Sequence, residues 1–212
     1  MWYAIVGNGP SSANPANSKI VDSCRYVIRL TQFRLHFPNS ESGTKIDAWA
    51  HYGSRTMLQR KGVIPAGNYE VWFTQPTHRA EHGNHPGLPS LYVAKKYAEH
   101  RPVEKVKDEV WQETAQSLHI YGGSKQLRPT TGLTAIAMAL HHEPVGLMIV
   151  GFDATTPDRS GWGDNKEVES WREVGTHDHL AEKKMIANLV DDRSWCGRKV
   201  STKVVWMGRP KL

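Results

Sequence analysis

The 212-residue chain is poor in several features that mark particular protein classes. It has only two cysteines, Cys24 and Cys196, which lie too far apart for a disulfide framework or a cysteine-based zinc site. No apolar run approaches the roughly 18 residues of a membrane-spanning helix. We therefore expect no transmembrane segment and a reducing, cytoplasmic location.

Familiar catalytic signatures are also missing. The sequence contains neither a Gly-x-Ser-x-Gly nucleophile elbow nor a Walker phosphate loop, and it has no internal repeat or low-complexity tract. These absences exclude the usual serine-hydrolase and P-loop patterns, as well as repeat architectures.

Basic residues are in moderate excess. The 27 lysines and arginines outnumber the 21 aspartates and glutamates, which gives a formal net charge of +6. Such a charge suits an anionic partner, whether a nucleotide, an acidic sugar, a nucleic acid or a membrane surface. A basic protein with no polyanionic partner is equally compatible with this balance.

Short apolar runs alternate with helical patterns along the chain. The alternation predicts one α/β domain over residues 1–212, a Rossmann-like α/β/α sandwich around a mostly parallel sheet. The most hydrophobic run is 145–150, which we expect at the centre of the sheet. Polar loops over 76–90 and 153–168 are expected to be mobile. The predicted strands are 2–6, 25–30, 45–50, 70–74, 145–150 and 203–207, and the predicted helices are 106–118, 133–142 and 179–190.

The first candidate site is the turn after the first predicted strand. Glycines there allow a tight turn and close approach of a ligand, and free N–H groups can hold phosphate. The segment is not a GxGxxG fingerprint, because Ser12 replaces the third glycine, so an ordinary turn remains an alternative. Its candidate residues are Gly7, Asn8, Gly9, Pro10 and Ser11.

The second candidate site is the start of the predicted helix that precedes the most hydrophobic strand. Threonines can cap a helix, and a helix N-terminus favours an anion. Arg128 would add a charge-assisted hydrogen-bond donor. An ordinary N-cap is the alternative interpretation. The candidate residues are Arg128, Thr130, Thr131 and Gly132.

The third candidate site is a histidine-containing segment ahead of the last predicted helix. His177 and His179 are too few for a closed zinc site, and no third ligand stands at a fixed spacing. A general base is the better interpretation of His177, because an imidazole titrates near neutral pH. Glu182 could fix the imidazole tautomer or bond the backbone in the first helical turn. A surface histidine that caps the helix is the alternative.

These three segments, taken in order, resemble the motifs of sialyltransferases. The stretch V-G-N-G-P-S, followed by V-I-R-L-T-Q-F at 27–33, resembles the start of bacterial sialyltransferases of glycosyltransferase family 42 and the large sialyl motif of family 29. The segment P-T-T-G-L at 129–133, continuing to V-G-F-D at 150–153, is similar to the small sialyl motif. His177-x4-Glu182 is similar to the very small motif, H-x4-E.

The resemblance implies a fold, a donor and roles for individual residues. It implies a Rossmann-like, GT-A-like domain, a CMP-sugar donor, no metal or other cofactor, and inverting transfer with His177 as the catalytic base. It places Thr31, Gln32 and Asp153 at the donor site with the residues of the first two candidate segments. Two features depart from the family pattern. Thr31 stands where the bacterial family has asparagine, and no tyrosine occurs between Asp153 and His177.

Three functions follow as hypotheses. The first is a metal-independent transferase that moves sialic acid or a similar acidic sugar from CMP to the hydroxyl of a glycan or other acceptor. The second is a CMP-sugar hydrolase or a non-catalytic nucleotide-binding homologue. The third is a protein that binds nucleic acid or modifies it as the acceptor, since the charge and eight tryptophans allow it.

Overall fold

The computed structural model describes residues 1–31, 43–53, 67–76, 91–122, 128–152 and 178–209. A seven-stranded sheet forms its centre, and every pairing within that sheet is parallel. The strand order is β5-β4-β3-β2-β1-β6-β9. These strands are β1 (Trp2–Val6), β2 (Tyr26–Leu30), β3 (Ala48–His51), β4 (Glu70–Phe73), β5 (Val103–Lys105), β6 (Gly146–Val150) and β9 (Lys203–Trp206).

Five helices and a small hairpin complete the described elements. The hairpin pairs β7 (Ser194–Trp195) with β8 (Arg198–Lys199), and a 3-10 turn covers Pro10–Ala13. Within the described residues, no helix combines the length and apolarity needed to cross a bilayer. The helices are α1 (Pro15–Ser23), α2 (Leu91–Ala98), α3 (Asp108–Gly122), α4 (Thr131–His141) and α5 (His179–Asp192).

Alternation along the strands divides the interior into two cores, because successive strand residues point to opposite faces. One face packs against α3, α4 and α5, with Ile5 and Ile28 among its strand residues. The other face packs against α1 through Val21, and against α2 through Val93. The result is the predicted three-layer α/β/α sandwich with a parallel sheet.

The position predicted for the most hydrophobic strand is wrong. β6 lies second from one edge, between β1 and β9, and β2 occupies the centre of the sheet. All five residues of β6 are nevertheless buried. Its apolar composition therefore reflects burial on both faces, which every strand inside a parallel sheet shares, and does not fix its place in the order.

Among the other predicted elements, the first strand is observed with its predicted bounds and the rest are observed with shifted ends, and several elements were not predicted. The strand predicted over 45–50 is Ala48–His51, and the helix predicted over 106–118 extends to Gly122. The loop predicted over 76–90, apart from residue 76, and the loop predicted over 153–168 lie outside the described residues. The unpredicted elements are α1, α2, β5, β7 and β8.

Candidate functional site

A cleft opens at the carboxyl edge of the sheet, where open α/β folds bind their ligands. Its wall is built from the turns after β1 and β6, the start of α4 and the first two turns of α5. The three segments singled out from the sequence therefore meet in one place. The lining residues are Gly7, Asn8, Gly9, Leu30, Thr130, Gly132, Gly151, Phe152, His179, Glu182, Lys183 and Ile186.

The turn after β1, which holds Gly7 and Gly9, lies in direct backbone contact with the turn after β6, which holds Gly151. The Gly7 N–H donates to Val150 O at 2.8 Å, and the Gly9 N–H donates to Gly151 O at 2.9 Å. A Cβ atom on Gly7 would lie 2.5 Å from Gly151 O, and Gly151 has a positive φ of 75°. Both positions therefore require glycine, since a side chain at either one would push the turns apart.

The start of α4 is held in a defined conformation by Thr130. The Thr130 Oγ1 atom accepts from the Leu133 N–H at 3.2 Å, which is an N-cap. Gly132 follows in the first turn, where a Cβ atom would lie 2.7 Å from Cε1 of Phe152. Because Gly132 has no side chain, the Phe152 ring can lie against the start of α4 and line the cleft.

Glu182 joins α5 to the start of α4. Its Oε1 accepts from the Thr130 N–H at 2.8 Å, and its Oε2 accepts from the Thr130 hydroxyl, also at 2.8 Å. The carboxyl group is buried, and burial raises the pKa of Glu182 to about 7, although the bonds from Thr130 act in the opposite direction. Both oxygens are thus engaged with one residue of the neighbouring helix.

Helix α5 begins at the cleft with its own cap. The Asp178 Oδ1 atom accepts from the N–H groups of Leu180 at 3.0 Å and Ala181 at 2.9 Å. The cap fixes where the helix starts. The spacing of 179, 182, 183 and 186 matches one face of a helix, and these four residues all line the cleft.

Thr31 stands behind the cleft wall in a strained backbone conformation. Its φ is 45°, which is unusual for a β-branched residue. Two side chains hold it there: Trp49 Nε1 donates to Thr31 O at 2.8 Å, and Asn8 Nδ2 donates to Thr31 Oγ1 at 3.1 Å. Thr31 is therefore linked to the cleft by its hydrogen bond with Asn8, which is one of the lining residues.

The predicted site residues divide into three groups. Those brought together on the cleft wall are Gly7, Asn8, Gly9, Thr130, Gly132 and Glu182. Ser11, Thr31, Arg128 and Thr131 are described but lie outside the lining set. Ser11 accepts from the Gly151 N–H through its hydroxyl at 2.8 Å, and Arg128 is exposed. The described part of the structure does not include Gln32, Asp153, His177 or the side chain of Pro10.

Several lining residues were not predicted from the sequence. Leu30, Gly151 and Phe152 reach the cleft because the ends of β2 and β6 lie there. Helical spacing places Lys183 and Ile186 on the same face of α5 as His179, but which face lines the cleft is set by packing against the sheet. Groups of three or more histidine, cysteine, aspartate or glutamate residues arranged to hold a metal are absent from the described part of the chain.

Comparison with known proteins identifies the fold. No protein-family model and no curated protein matches the chain. Among solved structures, a mammalian sialyltransferase is similar with a TM-score of 0.61 and 14% identity, over 98% of this chain and 69% of that one.

Two structures of a bacterial sialyltransferase are similar as well. CST-II in complex with a trisaccharide acceptor and CMP gives a TM-score of 0.57 at 16% identity, over 98% of this chain and 81% of that one. CstII from Campylobacter jejuni in complex with the substrate analogue CMP-3FNeuAc gives 0.52 at 15% identity, over 97% and 79%. The chain therefore has the fold of the sialyltransferases.

Proposed function

We propose that this protein is a metal-independent, inverting glycosyltransferase that moves an acidic sugar from a CMP-sugar to an acceptor hydroxyl. The observation that carries the proposal is the meeting of three sialyltransferase-like segments on one cleft of a sialyltransferase fold. Sialic acid or a similar sugar is the proposed donor group, and a glycan is the proposed acceptor.

The start of α4 suits the phosphate of the donor. Thr130 caps the Leu133 N–H, and the N–H groups of Thr131 and Gly132 belong to the helix terminus, where no intrahelical acceptor exists. Such N–H groups and the helix dipole favour an anion. Because the glycine turns contribute little side-chain bulk, a nucleotide can approach their backbone closely.

His177 is the proposed general base. It immediately precedes Asp178, the cap residue from which α5 begins at the cleft. The imidazole would take the proton of the acceptor hydroxyl as the acceptor oxygen bonds to the anomeric carbon. The bond from that carbon to the phosphate oxygen breaks, and CMP leaves with the electron pair. Attack from the face opposite to the leaving group inverts the anomeric configuration.

The chemistry needs no metal or other cofactor in this proposal. The departing phosphate is already an anion, so preorganised N–H donors and positive charge can stabilise it as its charge develops.

Glu182 is proposed to act by tying the base-bearing helix to the phosphate-binding helix through Thr130. A cytoplasmic location and a nucleic-acid acceptor stay predictions made from the sequence.

The test is a transfer assay with CMP-sialic acid and a galactose-terminated oligosaccharide, with product and free CMP quantified by mass spectrometry. We expect acceptor-dependent product from the wild type. His177→Ala should lower turnover by about 100-fold or more, the usual contribution of a general base, while CMP binding is retained. Exposed His119 supplies the control, and His119→Ala should leave turnover unchanged.

The same assay separates the hydrolase alternative. If free sugar and CMP form from the donor at the same rate with and without an acceptor, the protein is a CMP-sugar hydrolase. Undiminished transfer by His177→Ala would remove His177 from the mechanism.

A further inference from the structure

The cleft has one permanently positive side chain among its described lining residues. Its ionisable lining residues are His179, Glu182 and Lys183, and Lys183 is the one lysine or arginine among them. Arg128, the cation expected from the sequence, is exposed and does not line the cleft. Any fixed positive charge that the described wall offers to a ligand therefore comes from Lys183.

The two carboxylates at the start of α5 are already engaged. Both oxygens of Glu182 accept from Thr130, and Asp178 caps the N-terminus of α5. Within the described residues, Lys183 forms no ion pair with either of them. The ammonium group is therefore available to an anion in the cleft.

The neighbouring residue provides an internal comparison. Lys184 has the same side chain, but a rotation of about 100° along the helix takes it away from the cleft, and it is exposed. Lys183 is half-buried and lines the wall. The two lysines thus differ in placement and not in chemistry.

We propose that Lys183 binds the phosphate of the nucleotide together with the N–H groups at the start of α4, and so gives the cleft its preference for a nucleotide over a nucleoside. This inference rests on the proposed function, because it takes the ligand to be a cytidine nucleotide. A charge-assisted contact of this kind supplements the N–H donors of the helix start without requiring a metal.

Calorimetric titration of Lys183→Met and Lys184→Met with CMP and with cytidine tests the proposal. We expect Lys183→Met to weaken CMP binding by about 10-fold to 100-fold, the value of a hydrogen bond to a charged group, and to leave cytidine binding unchanged. Lys184→Met should bind both ligands as the wild type does. Lys183→Arg should restore most of the CMP affinity, and its binding should weaken with added salt as the wild type's does.

Several results would overturn the assignment. Unchanged CMP affinity in Lys183→Met would remove the lysine from the phosphate site and leave the proposed function intact. An equal loss for CMP and cytidine would mean that the residue supports the cleft structurally. If Lys183→Met fails to fold, Lys183→Gln is titrated in its place and judged by the same criteria. A wild type that binds neither ligand would overturn the proposed function and this inference together.

Discussion

Replacing Glu182 with glutamine should change how the stability of the protein depends on pH. The carboxyl group is buried, and its pKa is raised to about 7 mainly by that burial. The folded state therefore favours the protonated form, whereas the unfolded chain ionises at about pH 4.3. Stability from this group is present below the unfolded value and is lost as the pH rises to about 7.

The size of the effect follows from the pKa shift. One unit corresponds to about 1.4 kcal/mol, so a rise from about 4.3 to about 7 means that ionising Glu182 costs the folded state on the order of 3–4 kcal/mol above pH 7. Glutamine keeps an oxygen for the Thr130 N–H and cannot ionise. Between pH 4.5 and pH 8, the free energy of unfolding of the Glu182→Gln protein should therefore rise relative to that of the wild type by about that amount.

Urea unfolding at pH 5, 6, 7 and 8, followed by tryptophan fluorescence, measures the difference in the free energy of unfolding. Burial also lowers the pKa of His51 to about 3, which destabilises the fold in acid, but this contribution is common to both proteins and cancels in the difference. Glu109→Gln, an exposed position in the first turn of α3, is the matched control and should show little change with pH. A difference between Glu182→Gln and the wild type that stays constant from pH 5 to pH 8 would refute the reasoning.

Two further substitutions test the backbone of the site. Gly7→Ala should destabilise the protein by at least about 2 kcal/mol, because the new Cβ would force apart two turns that are joined by two backbone hydrogen bonds. A urea midpoint equal to that of the wild type would contradict this close contact. Thr31→Asn should stabilise the protein by about 1 kcal/mol, because asparagine tolerates positive φ better than a β-branched residue does. Thermal unfolding checks this sign, and a lower melting temperature would mean that the Thr31 hydroxyl outweighs the strain.

Hydrophobic patterning predicted the layered fold because each interior strand is buried on both faces. Short apolar runs such as Trp2–Val6 and Gly146–Val150 stand out against the polar loops between them. The same property hides the order of the strands, since burial is equal at several positions in the sheet. β5 was missed because an edge strand of three residues, Val-Glu-Lys, offers one apolar side chain.

Local turn chemistry predicted part of the site. The glycines after β1 and the threonine before α4 have roles set within a few residues of the chain, and both lie on the cleft. Arg128 was expected there because it precedes the helix, but the direction of its side chain depends on tertiary packing, and it is exposed. Lys183 was missed because its place on the wall depends on how α5 is rotated against the sheet.

The most direct test of the account is a two-dimensional amide NMR titration of the wild-type protein with CMP. If CMP binds in the cleft, we expect saturable changes in chemical shift at three separated segments at once, namely Gly7–Gly9, Thr130–Gly132 and the start of α5 at His179–Lys183. Changes confined to one of these segments, changes centred on the β7–β8 hairpin, or no changes at millimolar CMP would contradict it.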